Sequence, residues 1–183
     1  MAAVLLAATV ATAAVKDWTD GTGLWSTPAN WSGLTAPVNN DLVNLYFTDG
    51  VGRTVTYDIA AITLGSMNVS LKGPGATNAT LSMAANSLTV GTEYVGYDGR
   101  GTIDQSGGTN TISAGAGSLD VGVLAGSTGT YNLSGTGALV VNTNEYIGDA
   151  GTGFFNQTGG THNNGSNDLY LGYKIGSTGA RIH

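Results

Sequence analysis

Two short phrases alternate along the second half of the chain and constrain what it can fold into. Glu93-Tyr94-Val95-Gly96 returns as Glu145-Tyr146-Ile147-Gly148, and Leu119-Asp120-Val121-Gly122 returns as Leu169-Tyr170-Leu171-Gly172. Their glycines, at 96, 122, 148 and 172, stand 26, 26 and 24 residues apart. A unit of that length cannot bury its apolar face alone and becomes stable by stacking on its neighbours, so the period indicates a solenoid. The intervening segments are rich in Gly, Thr, Ser, Asn and β-branched residues, which favour strands and turns over helices. The expected fold is all-β: a single-stranded parallel β-helix with 24 to 28 residues per coil.

A finer pattern follows each phrase: a glycine and then a second strand, beginning at Gly101, Gly129 and Gly153. The step from Gly96 to Gly101 and from Gly148 to Gly153 is five residues, but that from Gly122 to Gly129 and from Gly172 to Gly179 is seven. Odd and even coils therefore differ, and the full repeat is a two-coil module of 52 residues, Gly101 to Gly153. Strands of successive coils lie about 4.8 Å apart, so equivalent positions should form columns. Ile103, Tyr131 and Phe155 make an apolar column. Asp104, Asn132 and Asn156 make a polar one, and Ser106, Ser134 and Thr158 another beside it, since residues two apart share a strand face. Val95, Val121, Ile147 and Leu171 are expected to point inward as a core stack. The phrase glycines mark turns or positions that need positive φ.

The rest of the chain divides around these coils. Residues 1–15 are apolar and end in small residues; Ala11-Thr12-Ala13 looks like a signal-peptidase site, although the basic n-region is missing. The same stretch could instead stay as a packed strand or complement a neighbouring molecule, and it is too short to span a bilayer. Residues 16–61 hold all three tryptophans, Trp18, Trp25 and Trp31. They are expected to plug one end of the solenoid, as atypical terminal repeats do; exposed, they would instead offer a stacking platform for glycans. The repeats proper run over 62–183. Gly176-Ser177-Thr178-Gly179 copies Gly126-Ser127-Thr128-Gly129, but Ala180-Arg181-Ile182-His183 then replaces Thr130-Tyr131-Asn132-Leu133. The last coil is incomplete: either the chain is a fragment, or another copy covers the open end.

Composition narrows the function classes. Charged residues are 10% and hydrophobic ones 41%, the reverse of a disordered chain. The net charge of −6 arises from 12 acidic and 6 basic residues with no basic cluster, so a nucleic-acid partner is not expected. Without cysteine, neither disulfides nor thiolate metal sites are available.

Individual motifs are weak. Six Asn-x-Ser/Thr matches include Asn132 and Asn156, which the polar column already explains. Asp98, Asp104, Asp120, Asp149 and Asp168 occupy different repeat positions and read as solvated turn acids. Neither a catalytic carboxylate pair nor a calcium repeat emerges. With His162 and His183 alone there is no histidine metal cluster, and no Gly-x-Ser-x-Gly elbow supports a triad. Gly148 to Gly153 lacks the lysine and following helix of a phosphate loop. Thr-x-Thr is not repeated coil after coil, which disfavours an ice-binding array. No cofactor is implied, and the chain is not expected to be an enzyme.

Tyr-[Val/Ile]-Gly, Gly-Ser-Thr-Gly-Thr-Tyr-Asn-Leu-Ser-Gly and Phe-Asn-Gln-Thr-Gly-Gly-Thr resemble the autotransporter-associated β-strand repeats and the related repeats of PEP-CTERM-type bacterial surface proteins. The segment Gly21 to Trp31 is similar to the opening of the same proteins, and the resemblance spans about residues 17–180. It implies a right-handed parallel β-helix, export to the cell surface or extracellular matrix, and a role in adhesion or structure. Neither a translocator barrel nor a sorting helix lies within these residues. The leading expectation is a secreted structural subunit that stacks head to tail on copies of itself into a filament or surface layer. The alternatives are an adhesin passenger or carbohydrate-binding module with surface glycans as partners, and, less well supported, a polysaccharide-active β-helix enzyme.

Overall fold

The computed structural model describes residues 12–75, 77–113 and 117–183. The signal-like and donor-strand readings of the N-terminus rest on residues 1–11, which lie outside the described residues.

Alternating apolar and polar residues generate short strands, and glycine-rich corners turn them through three faces per coil. The first face stacks Val15–Asp17, Leu42–Phe47, 66–71, 92–95, Ser118–Val121, Asn144–Ile147 and Leu169–Leu171. The second stacks Gly23–Leu24, Arg53–Thr56, Ala79–Met83, Arg100–Gln105, Thr128–Leu133, Thr152–Gln157 and Thr178–Ile182. The third stacks 61–64, 87–90, Thr109–Ile112, Ala138–Val141 and Thr161–Asn163. All these ladders are parallel and in register. Val95, Val121, Ile147 and Leu171 align at consecutive levels, as the phrase spacing requires. The molecule is thus a three-faced parallel β-solenoid.

The corner between the first and second faces explains the phrase glycines. Gly122 sits at φ 77°, and Gly129, across the same turn, approaches it so closely that a Cβ there would lie 2.4 Å from the Gly122 nitrogen. A side chain at either position would push the corner open, so the pair sets how sharply the coil bends.

The Trp-rich segment is not separated from the coils. Its strands form the first levels of two faces, with no break in the ladders at residue 61. Its loops close the end: Trp18, Trp25 and Trp31 are 3%, 0% and 1% exposed. Trp31 packs edge-on against Trp18 at 5.0 Å and Trp25 at 4.8 Å, and its Nε1 donates to the Trp25 carbonyl at 2.7 Å. The buried rings have no free faces for sugar, so the platform alternative at these residues fails.

Candidate functional site

The stacked columns are largely as the spacing predicts. Ile103, Tyr131 and Phe155 are fully buried in register, the last two stacked with centroids 5.7 Å apart. Along the outer surface Asn132 Nδ2 donates to Asp104 Oδ1 at 2.7 Å, and Asn156 Nδ2 donates to Asn132 Oδ1 at 2.9 Å. This is an amide ladder climbing two levels, and it occupies the very nitrogens a glycan would need.

Two expectations need correction. Ser106, Ser134 and Thr158 follow one another up the face, but their hydroxyls form no ladder among the described residues. Ser106 Oγ instead donates to the Met83 carbonyl at 3.5 Å, because these residues end their strands where the chain starts to bend away. Val95, Val121 and Ile147 are completely buried, but Leu171 is 50% exposed. It belongs to the last level, with no further coil above it among the described residues.

The interior holds groups that the motif reading missed. On consecutive levels the inward positions are Glu93, Gln105 and Asn110, then Leu119, Leu133 and Leu139, then Glu145, Gln157 and His162. The 52-residue module thus alternates a polar core coil with an apolar one. Asn110 Nδ2 donates to Glu93 Oε2 at 2.8 Å and to the Tyr131 hydroxyl at 3.1 Å, and that hydroxyl donates to Gln105 Oε1 at 2.6 Å. Burial pushes the Glu93 carboxyl up to about 7 against the opposing hydrogen bond from Asn110, and pushes the Tyr131 phenol well above its usual range. One coil pair later, His162 Nε2 lies 2.9 Å from Glu145 Oε2 without hydrogen-bond alignment. The signal was present: Glu93 lies two residues before inward Val95, and Glu145 two before inward Ile147.

These buried groups are sealed from ligands, so the accessible chemistry lies outside. On the outer surface of the first face, Tyr94, Asp120, Tyr146 and Tyr170 occupy one register column. Tyr146 and Tyr170 stack with centroids 5.0 Å apart and planes 8° from parallel, and Tyr173 packs edge-on to both. Asp120, expected as a solvated turn acid, lies instead within the strand Ser118–Val121, covered between Tyr94 and Tyr146. Burial raises its carboxyl to about 6, while the Ser118 hydroxyl, donating at 2.9 Å, acts the other way.

Beside this column, the corners joining the third face to the first differ in length. The strands ending at Ile112, Val141 and Asn163 resume at Ser118, Asn144 and Leu169, so a two-residue corner, 142–143, falls between two of five residues. Beside the short corner lies a recess of about 330 Å³ lined by Gly117, Ser118, Asn142, Thr143, Asn144, Tyr146 and Asn167. Among the described residues no group of three or more His, Asp or Glu side chains could hold a metal ion, and no helix is long and apolar enough to cross a membrane. No family model matches the chain, and comparison with curated proteins and with solved structures finds no match either.

Proposed function

We propose that the chain is a structural subunit of an exported bacterial surface or matrix assembly, a β-solenoid rod that stacks head to tail on copies of itself. The observation that carries this reading is the placement of exposed apolar side chains. Val15, Leu24, Leu34, Val38, Leu42 and Val51 belong to the first two levels, and Leu171, Tyr173, Ile175 and Ile182 to the last. Only Tyr97 and Leu124, among the described residues, lie between. Apolar surface concentrated on opposite axial ends of one body is heterologous, and a contact of that type that does not close makes a filament. Among the described residues Leu169–Leu171 and Thr178–Ile182 are paired on one side only, and such an edge is a hydrogen-bonding template for a further strand. The repeat resemblance and the apolar N-terminal stretch support export, and fractionation of the producing cells tests it separately.

Sedimentation velocity over a concentration series, with negative-stain microscopy of the same samples, tests the stacking. The expected outcome is rods whose length grows in subunit steps and whose diffraction shows an axial spacing of about 4.8 Å. Ile182→Lys and Leu34→Lys should each return the protein to monomers. Monomers at every concentration of the unaltered chain would rule the filament out.

A further inference from the structure

We propose that the recess at the 142–143 corner, continued by the tyrosine column beside it, binds a neutral oligosaccharide across the side of the rod. The lining residues select the ligand class. Asn142, Asn144 and Asn167 each carry an amide that both donates and accepts. Asn144 Nδ2 donates one bond to the Tyr146 hydroxyl and Asn167 Nδ2 one to the Asn164 carbonyl, which leaves each amide a second N–H and its oxygen. The Ser118 hydroxyl, donating to Asp120, can still accept; a vicinal diol presents the same pairing of donor and acceptor. Tyr146 lines the recess itself and stacks on Tyr170, with Tyr173 half exposed beyond them. These rings supply apolar surface for the C–H faces of pyranose rings.

Other ligand classes fit less well. Among the described residues no Lys or Arg lines the recess, and the chain carries a net charge of −6, so phosphates and uronates meet no counter-charge there. The neighbouring carboxylates are already engaged: Asp168 accepts from the Tyr170 hydroxyl at 2.9 Å, and covered Asp120 accepts from Ser118. A bare cation would therefore find amides rather than free carboxylates. The lining is too polar for an apolar ligand. A volume of about 330 Å³ is at the small end of ligand pockets, room for one or two sugar rings, with the rest of the chain running over the tyrosines.

Tyr146, which lines the recess, belongs to a strand paired on both sides, so its ring is held in place before a ligand arrives. The recess lies on the flank of the rod, while Tyr173, at the far end of the tyrosine column, is shared with the last-level surface proposed for stacking, so binding is measured on monomers.

Titration calorimetry on the monomeric fraction tests the proposal, using hexamers of β-1,4-glucose, β-1,4-mannose, β-1,4-xylose and α-1,4-glucose, with oligogalacturonate as the charged comparison. At least one neutral hexamer should bind with a Kd of about 1 mM or tighter. Asn142→Ala and Asn167→Ala, both at exposed positions, should each weaken binding about tenfold, equivalent to ~1.4 kcal/mol, with unchanged circular dichroism and melting. Failure of all four neutral hexamers to bind would overturn the site, as would undiminished binding by both variants or a preference for oligogalacturonate. Because monomers are used, a failed filament leaves this result standing, and the converse also holds.

Discussion

Glu93 shows how much one side chain can set the conditions under which this fold is stable. Its carboxyl is raised from 4.5 to about 7 by complete burial. Since the folded value lies above the unfolded one, the folded chain holds the proton longer. Glu93's contribution to stability is therefore greatest below about pH 4.5, falls as pH rises towards 7, and is level beyond; a shift of this size corresponds to about 3 kcal/mol. Glu93→Gln keeps an oxygen for the Asn110 amide and removes the ionisation. Urea midpoints at pH 5 and pH 8 should differ less in the variant than in the parent, and the variant should be the more stable at pH 8. At the glycine corner, Gly122→Ala meets two obstacles: φ is 77°, and the new Cβ would stand 2.2 Å from the Thr152 carbonyl oxygen on the next level. Strain and overlap together should cost about 2–4 kcal/mol, visible as a lowered melting temperature without loss of strand content.

Each coil is stable only against its neighbours, and the end elements show what replaces a neighbour. The Trp18–Trp25–Trp31 cluster closes the first level, with Tyr57 packed edge-on to Trp25 at 5.5 Å. Trp31→Ala should cost about 3–5 kcal/mol and let the first levels open before the rest, so amide exchange should speed up at 42–47 and 53–56 well before 118–121. Unchanged protection of the first levels would show that the tryptophans do not seal that end. The Asp104–Asn132–Asn156 ladder lies along the surface and contributes less per bond, because water competes for exposed amides. It was legible in the sequence because its members keep the spacing of the second strand. The Ser106 series keeps the same spacing without forming a ladder: register brings residues level, but side-chain direction at a strand end depends on the bend that follows.

On the scale of the whole molecule, three parallel faces turn a linear repeat into a rod with a recessed flank; the proposed stacking would use its ends and the proposed sugar binding its flank. The recess was not readable in advance. It is formed by residues of three levels, from Gly117 to Asn167, brought together by segments remote in sequence. Contacts across the core were equally hidden, because Glu93 meets Asn110 from a different face and the corner lengths decide which residues converge. Burial of the two glutamates, in contrast, was written in the period-2 pattern, but against the general preference of acids for water. The sequence alone determined the coil: glycine phrases at intervals of 26, 26 and 24 residues bring like residues to the ladder spacing at every level, and backbone pairing locks that register. Only the tertiary structure decided which tryptophans are sealed, which coils carry a polar core and where the flank is open, because burial depends on what closes over a residue from another coil.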